Sequence, residues 1–317
     1  MPKVSVVICA YSDARWKPLV DAVESLRAQT LPPAQIIVSV DHNDPLRRRA
    51  AASFSGAHVV ANEQERGLSG ARNTGLRHAG GDIVAFLDDD ARPDPSWLEA
   101  LVAPFEDPAV VGAGGVALPE WVDGAHPAWL PAEMYWVVGC SYVGLPTRTA
   151  EIRNPIGATM AFRRETLHAV GGFRDGIGRV GTVPLGCEET ELAIRARAIS
   201  GGKVMHVPHA RVQHSVTAAR TTWRYFLSRC WSEGLSKALV AAHVGSERAL
   251  ASERRYATRV LPRGAARNVG QAIRGDRPAF ARAAAIVIGL AVTTAGYCFG
   301  VSRAHLSQDR RDRICES

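Results

Sequence analysis

With 317 residues, 46% of them hydrophobic, the chain is long enough to bury a full core and too apolar to be a disordered protein. Its formal charge of +7 is unevenly spread: residues 215–317 hold 17 Arg/Lys against 7 Asp/Glu, whereas residues 1–214 hold 21 against 24. A basic C-terminal third serves either nucleic acid or an anionic membrane surface, and the neighbouring sequence has to decide between them.

The first half alternates short β-rich runs with helical stretches. Strands are predicted over 4–10, 35–40, 58–62 and 83–87, with helices over 18–29 and 71–79. The alternation implies βαβ units and a mainly parallel sheet. Asp94-Pro95 supplies an N-cap and a first-turn proline for a helix over 95–106, and 110–116 returns to the sheet. Between 118 and 154, Trp121, Trp129, Tyr135, Trp136 and Tyr142 gather among prolines and glycines, as core or as a platform for a ligand. A strand over 156–162, a helix over 164–170, a long glycine-bearing loop over 171–186, a strand over 203–207 and an amphipathic helix over 222–242 follow. A loop of that length in a compact domain is usually functional.

Asp88-Asp89-Asp90 falls at the carboxyl end of the apolar run 83–87, the edge of an open α/β sheet where ligands bind. Three adjacent carboxylates repel one another, and a hard divalent cation would relieve that. A solvated turn is the other reading. Gly67-Leu68-Ser69-Gly70-Ala71-Arg72-Asn73 is a glycine-bearing turn into a helix, able to offer backbone N–H groups and a guanidinium to an anion. Gly186-Cys187-Glu188-Glu189-Thr190-Glu191 opens another helix. The dipole and the Glu191–Arg195 spacing account for much of its acidity, yet neither requires two consecutive glutamates, and a carboxylate there suits a general base.

Residues 283–302 carry no charge and match the hydrocarbon thickness of a bilayer, although the run is only moderately apolar, so a buried or in-plane helix is the other reading. Nine arginines lie between 248 and 282, and four between 303 and 313, spread singly around the apolar segment. That pattern suits lipid headgroups better than nucleic acid, for which no role is expected. If the segment spans, the arginine bias puts the main domain on the cytoplasmic side. A secretory signal is not expected, since 4–10 is too short an apolar run. Six cysteines without a CxxC pair suggest neither a zinc site nor a disulfide framework, and fit a reducing compartment.

The motifs VSVVICAYSD, DHND, GLSGARNTGL, VAFLDDDA, NPIGATMAFRRE and PLGCEETELAIR occur in the order found in family 2 glycosyltransferases of the GT-A fold, which the chain resembles over about residues 3–240. It resembles in particular the subgroup described as glucosyl-dolichyl-phosphate glucuronosyltransferases. The resemblance implies a Rossmann-like, nucleotide-sugar-binding mixed sheet flanked by helices over 1–242. A basic, largely helical linker (243–282), a transmembrane or membrane-associated helix (283–302) and a polar tail (303–317) would follow.

Carried onto this chain, the resemblance gives Ala10, Tyr11 and Asp41 to the base and ribose of a nucleoside-diphosphate sugar, with a UDP-sugar favoured, and places Arg72, Asn73 and Asp89 in the same pocket. Asp88 and Asp90 match the ends of the DxD motif, Asp90 as the direct ligand of Mn²⁺ or Mg²⁺ and Asp88 nearer the ribose. His214 resembles a histidine near the diphosphate and metal. Glu189 matches the usual catalytic aspartate but is one methylene longer, which leaves open whether Glu188 or Glu189 faces the acceptor. The implied reaction is an inverting transfer in which Arg72 and the metal neutralise the leaving phosphates. The implied acceptor is a lipid-linked or polymeric glycan at the cytoplasmic face of the cell membrane. A soluble acceptor and a catalytically silent membrane adaptor on the same fold are the alternatives. A nucleotidyltransferase is disfavoured, because residues 10–16 lack its glycine-rich basic turn.

Overall fold

The computed structural model describes residues 2–122, 126–179 and 184–315. In chain order the elements are β1 (Val4–Ala10), α1 (Trp16–Arg27), β2 (Gln35–Val40), α2 (Asp44–Ser53), β3 (His58–Ala61), α3 (Leu68–His78), β4 (Ile83–Asp88), β5 (Ala91–Pro93), α4 (Trp97–Val102) and β6 (Val110–Trp121). Then come β7 (Ala150–Ile152), β8 (Thr159–Arg163), α5 (Arg164–Ala169), α6 (Glu188–Ser200), β9 (Lys203–Val216), α7 (Trp223–Val244), α8 (Ser246–Ala249), α9 (Ala251–Arg255), α10 (Leu261–Ile273) and α11 (Arg277–Cys315).

The strands form one mixed sheet in the order β3-β2-β1-β4-β8-β6-β9-β5, with β7 also paired to β9. From β3 to β4 the pairing is parallel, as the βαβ alternation predicts. Beyond β4 it is mixed: β8 runs antiparallel to both β4 and β6, β9 parallel to β6, and β5 antiparallel to β9. The central strands are buried on both faces, so successive residues of β1 serve different cores. Val6 and Ile8 pack with Leu19, Val23, Leu46, Trp97 and Leu101 of α1, α2 and α4. Val7 packs with Leu76, Leu167, Leu192 and Ala196 of α3, α5 and α6. At Gly75 an added Cβ would sit 2.3 Å from Val7 Cγ1, so α3 rides close over β1.

Several predicted boundaries move for local reasons. A short 3₁₀ turn (Asp13–Arg15), capped by the Ser12 hydroxyl, leads into α1 two residues earlier than expected. The sequence reading missed α2, whose start is marked by Asn43 accepting from Leu46 N–H at 3.1 Å and by a first-turn proline. The helix expected over 95–106 begins at Trp97, whose N–H donates to the Asp94 carbonyl and not to its side chain, and tightens to 3₁₀ at Ala103–Glu106. β6 and β9 run five and nine residues past their expected ends, paired in parallel from Val116↔Arg211 to Trp121↔Val216. Prolines and polar residues mask these strands in the sequence, and pairing on both sides carries β9 through them.

At the C-terminal end, α7, α10 and α11 enclose a third core with the 3₁₀ segment Ala132–Val138, built on Met134, Val137, Phe226, Leu261 and Ile286. Trp121, Trp129 and Tyr135 belong here, Trp129 stacked on Trp223 at 4.4 Å. The stretch expected as a linker over 243–282 is helical through α8, α9, a π-helical turn (Tyr256–Val260) and α10. Within α11, Arg277–Arg303 is long and apolar enough, by length and composition, to cross a membrane.

Candidate active site

The carboxyl ends of β1, β2 and β4 open into a cleft of about 1150 Å³. Cys9, Ala10, Tyr11, Asp41 and Asp88-Asp89-Asp90 line one end of it, as expected of a sheet's ligand-binding edge. Asp41 sits directly after β2, its N–H donating to the Ala10 carbonyl at 2.7 Å. Its carboxylate accepts from Asn62 Nδ2 at 2.7 Å and from Gly67 N–H at 3.0 Å.

That bond corrects the reading of the Gly67 turn as an anion cradle. Gly67 N–H is spent on Asp41, and Leu68 N–H donates to the Arg179 carbonyl at 2.9 Å. What the turn does is aim α3. One turn into that helix, Arg72 is 2% exposed, donating to Glu188 Oε1 at 2.7 Å, to Asp88 Oδ1 at 3.3 Å and to the Gly157 carbonyl at 3.0 Å. Its guanidinium therefore bridges the acidic triplet and the start of α6, and two carboxylates already claim the charge assigned to the leaving phosphates. Asn73 does not line the cleft. Its side-chain amide points away and clasps the Phe173 backbone, donating to the carbonyl and accepting from the N–H, each at 2.8 Å.

The three aspartates take different partners. Asp88 is half-open to the cleft. Asp89 is buried against Arg15 Nη1 at 2.5 Å, with its Oδ2 unpartnered. Burial pushes the Asp89 carboxyl up to about 7 despite Arg15, with Asp90 adding to the effect. Asp90, 6% exposed, meets Arg15, Arg220 and His214 Nε2, each at 3.2 Å. Burial opposes its charge, but His214 and the arginines outweigh it and hold the carboxyl well below the usual range. Sequence reasoning missed Arg15 and Arg220 as partners of the triplet, because 3₁₀ turns carry both and no periodic pattern marks them.

His214 lies inside β9 and not beyond a shorter strand. It stands opposite Ala91 of β5 and Pro119 of β6, and Ser215 N–H donates to the Asp90 carbonyl at 2.8 Å. Backbone pairing thus places the imidazole beside the triplet. Ligand atoms of Asp88, Asp90 and His214 all fall within 4.8 Å of one another. Two carboxylate oxygens and an imidazole nitrogen gathered on the wall of a cleft, with Asp88 the most exposed of the three, fit a divalent cation.

Across from this triad, α6 is capped at its N-terminus by Cys187, a non-glycine residue with φ of 71°. Glu188 is buried on Arg72. Glu189 reaches the cleft partly exposed and accepts from the Thr190 hydroxyl at 3.2 Å. Desolvation, with Glu188 beside it, pushes Glu189 up to about 8 against the pull of a backbone N–H and Arg72. Gly186 and Cys187 are held from α7: Gly186 N–H donates to Ser236 Oγ at 3.1 Å, and the Cys187 thiol to Glu233 Oε1 at 3.3 Å. Arg229 (2.8 Å) and Lys237 (3.3 Å) flank Glu233, and Lys237 continues to Glu253 at 2.6 Å. Burial would raise the Glu233 carboxyl, but Arg229 and Lys237 bring it down to about 2. Of the loop expected over 171–186, residues 180–183 lie outside the described residues.

Trp136 and Tyr142 extend the wall of the cleft, Trp136 also packing on the third core with Trp121, Trp129 and Tyr135. The far end of the cleft is lined by Gly289, Leu290, Thr293, Thr294 and Tyr297 of α11.

A DxD triplet at the strand edge, a facing carboxylate and the sheet order above coincide with a match to the family model described as glycosyl transferase family 2, over residues 5–171. The chain belongs to glycosyl transferase family 2. A relative from Haloferax volcanii, named glucosyl-dolichyl phosphate glucuronosyltransferase, is 36% identical over 239 residues, covering 74% of this chain and 76% of the relative. Polypeptide N-acetylgalactosaminyltransferase 11 of Xenopus tropicalis is 27% identical, over 68% of this chain and 38% of its own length. Among solved structures, the mannosyltransferase PcManGT from Pyrobaculum calidifontis, in complex with GDP-Man and Mn²⁺, aligns with a TM-score of 0.56 at 20% identity, over 93% of this chain and 87% of that one. GalNAc-T7 with UDP, GalNAc and Mn²⁺ aligns at 0.53 and 20%, over 74% and 48%. These likenesses establish the GT-A fold. As a family 2 member the chain is a hexosyltransferase.

Proposed function

We propose that the protein is an inverting, metal-dependent glycosyltransferase that moves a sugar from a nucleoside diphosphate onto a hydroxyl of a lipid-linked acceptor, at the cytoplasmic face of the membrane. The observation that carries the reading is the division of labour between adjacent glutamates. Glu188 is consumed by Arg72, whereas Glu189 stands free on the cleft wall opposite Asp88, Asp90 and His214.

The donor would lie along Ala10, Tyr11 and Asp41, its diphosphate toward Asp88 and Asp90. Glu189 takes the proton of the acceptor hydroxyl, whose oxygen attacks the anomeric carbon as its bond to the diphosphate oxygen breaks on the opposite face. Configuration inverts in that single displacement. A divalent cation held by Asp88, Asp90 and His214 would supply charge neutralisation for the departing diphosphate. The mixed oxygen and nitrogen donor set favours Mn²⁺ over Mg²⁺. Arg15 and Arg220, on the same carboxylates, are better placed than Arg72 to meet the leaving group. Arg72 instead keeps base and triplet in register, because it bonds to both sides.

The lipid-linked acceptor is favoured by the Haloferax volcanii relative and by a cleft whose far wall is the apolar helix α11. The test is transfer from radiolabelled UDP-sugars to a glycosyl-phosphoryl-polyprenol, with the anomeric configuration of the product read by NMR. Metal-dependent transfer with inversion is expected. Retention of configuration, or transfer that persists in EDTA, would refute the mechanism.

A further inference from the structure

The two faces of α11 differ sharply. Inward, it is pressed onto α7 through glycines. A Cβ on Gly234 of α7 would lie 2.2 Å from the Thr293 carbonyl oxygen and 2.6 Å from Tyr297 N. Gly296 abuts the Trp231 backbone, Gly300 meets Ala238 and Leu235, and Gly289 sits among Met134, Phe226 and Cys230. The contacts advance together along both chains, so the helices run side by side in the same direction.

Outward, Phe280, Val287, Ile288 and Phe299 are 70%, 61%, 40% and 51% exposed. Exposed Ala291 and Ala295 fall on the same stripe at helical spacing, which contains no charge. The Phe299 ring lies 5.6 Å from that of Trp231 on α7, itself exposed, so the apolar surface continues onto the neighbouring helix. From 280 to 299 the stripe is about 30 Å long.

That length would also span a bilayer, but the packing argues against upright insertion. The part of α7 seated on α11 bears Arg229, Glu233 and Lys237, whose pairs line the cleft. A spanning α11 would carry those charges, and a water-filled cleft, to membrane depth, where ionised groups are strongly disfavoured. A helix lying flat buries the same stripe and leaves the charged, cleft-facing side of α7 in water.

The surrounding charge selects the partner. Arg274, Arg277 and Arg303, near the two ends of the stripe, are exposed and without an ion pair among the described residues, as are Arg259 and Arg263 on the helical segments that precede α11. A second copy of the chain would set these cations against their own kind, whereas an anionic leaflet meets them with opposite charge. We propose that α11 is an in-plane membrane anchor. Its outward stripe and Trp231 sink into the interface of an anionic leaflet, and catalytic cleft and C-terminal tail stay on the same side. This placement depends on no step of the transfer reaction.

Two measurements test it. The first is flotation of the full chain with sealed vesicles of phosphatidylcholine, with and without about a third phosphatidylglycerol, for the wild type and for the combined Phe280→Glu, Ile288→Glu and Phe299→Glu variant. The wild type should float with the anionic vesicles, less so in high salt, and the variant should partition at least about tenfold less. The nucleotide-induced shift in Tm should persist in the variant, since none of the three residues lines the cleft. The second uses Ser53→Cys and Ser302→Cys in a Cys298→Ser background, with a membrane-impermeant maleimide applied to sealed, right-side-out and inverted membrane vesicles. Labelling of both positions from one side supports the flat anchor. Labelling from opposite sides shows a spanning helix and overturns it, as does a stable dimer that leaves vesicles untouched. The second measurement stands even if the triple variant does not fold.

Discussion

The Cys187 thiol donates to the Glu233 carboxylate across 3.3 Å, tying the residue that caps α6 to the middle of α7. Cys187 holds a left-handed backbone that costs a non-glycine residue about 1 kcal/mol or more, so something must keep it there. Glu233 and Ser236 do so, and the conformation they fix directs Glu189 into the cleft.

Removing the base should separate chemistry from binding. Glu189→Gln is expected to lower kcat by about 10²–10⁴, the range for general-base catalysis, with donor Kd within about twofold of wild type. Isothermal titration with donor nucleotide and a transfer assay measure the two. Parallel loss of both would assign Glu189 to the donor site instead.

Glu188 should behave differently from its neighbour. Glu188→Ala leaves the guanidinium of Arg72 buried with only the more distant Asp88 for an ionic partner, a loss of about 3–5 kcal/mol for a broken buried pair. Thermal unfolding should show a Tm lower by many degrees. An unchanged Tm would mean the Arg72–Glu188 bridge does not form in solution.

The pH profile follows from the raised Glu189. Held up to about 8 by burial and by Glu188, it is mostly protonated at neutral pH, and the ionised form is the one that accepts a proton. Transfer rate should therefore rise with pH, by about tenfold per unit below 8, and level off above it. A profile flat from pH 6 to 9 would contradict the assignment.

Positioning from α7 should be visible as a kcat effect. Ser236→Ala removes the acceptor of Gly186 N–H, and Glu233→Gln removes a charge that helps keep Glu189 protonated. Both variants should lose about tenfold or more in kcat with donor affinity unchanged, as expected when a reacting group is misplaced. In Glu233→Gln the pH limb should also shift downward. A purely structural role would lower Tm and leave the limb where it was.

Metal dependence can be read without an acceptor. In Mn²⁺, UDP at 100-fold its Kd should add about 2.7 kcal/mol of stability, and the same UDP concentration in Mg²⁺ less. Asp90→Asn should abolish the increment. A nucleotide shift equal in Mn²⁺ and in EDTA would remove the cation from donor binding.

Much of this architecture is legible from sequence where physical signals are local. Strands 4–10 and 35–40 match β1 and β2 in full, because runs buried on both faces read as unbroken apolar segments. The triplet at 88–90 announces itself because repulsion needs a cause. His214 stands out only by the resemblance, because the apolar pattern ends at 207 while the strand that carries it runs on to Val216. Its position depends on pairing with β5 and β6, partners far away in sequence. Arg72 and Asn73, adjacent in one motif, could not be separated without the helix that turns one toward Glu188 and the other toward Phe173. Arg15, Arg220 and Glu233 left no periodic trace, since each reaches the site through contacts with residues far away in sequence.

The glycine contact between α7 and α11 changes what counts as a dispensable segment. On α7, Gly234 touches α11 while its sequence neighbour Glu233 holds Cys187 and nearby Ser236 holds Gly186. Gly289, Thr293 and Tyr297 meanwhile supply cleft surface directly. A fragment cut at Arg277 to gain solubility would be an enzyme with one side of its reaction vessel missing. Genetic lesions in this apolar tail should be scored as defects of turnover before they are blamed on mislocalisation.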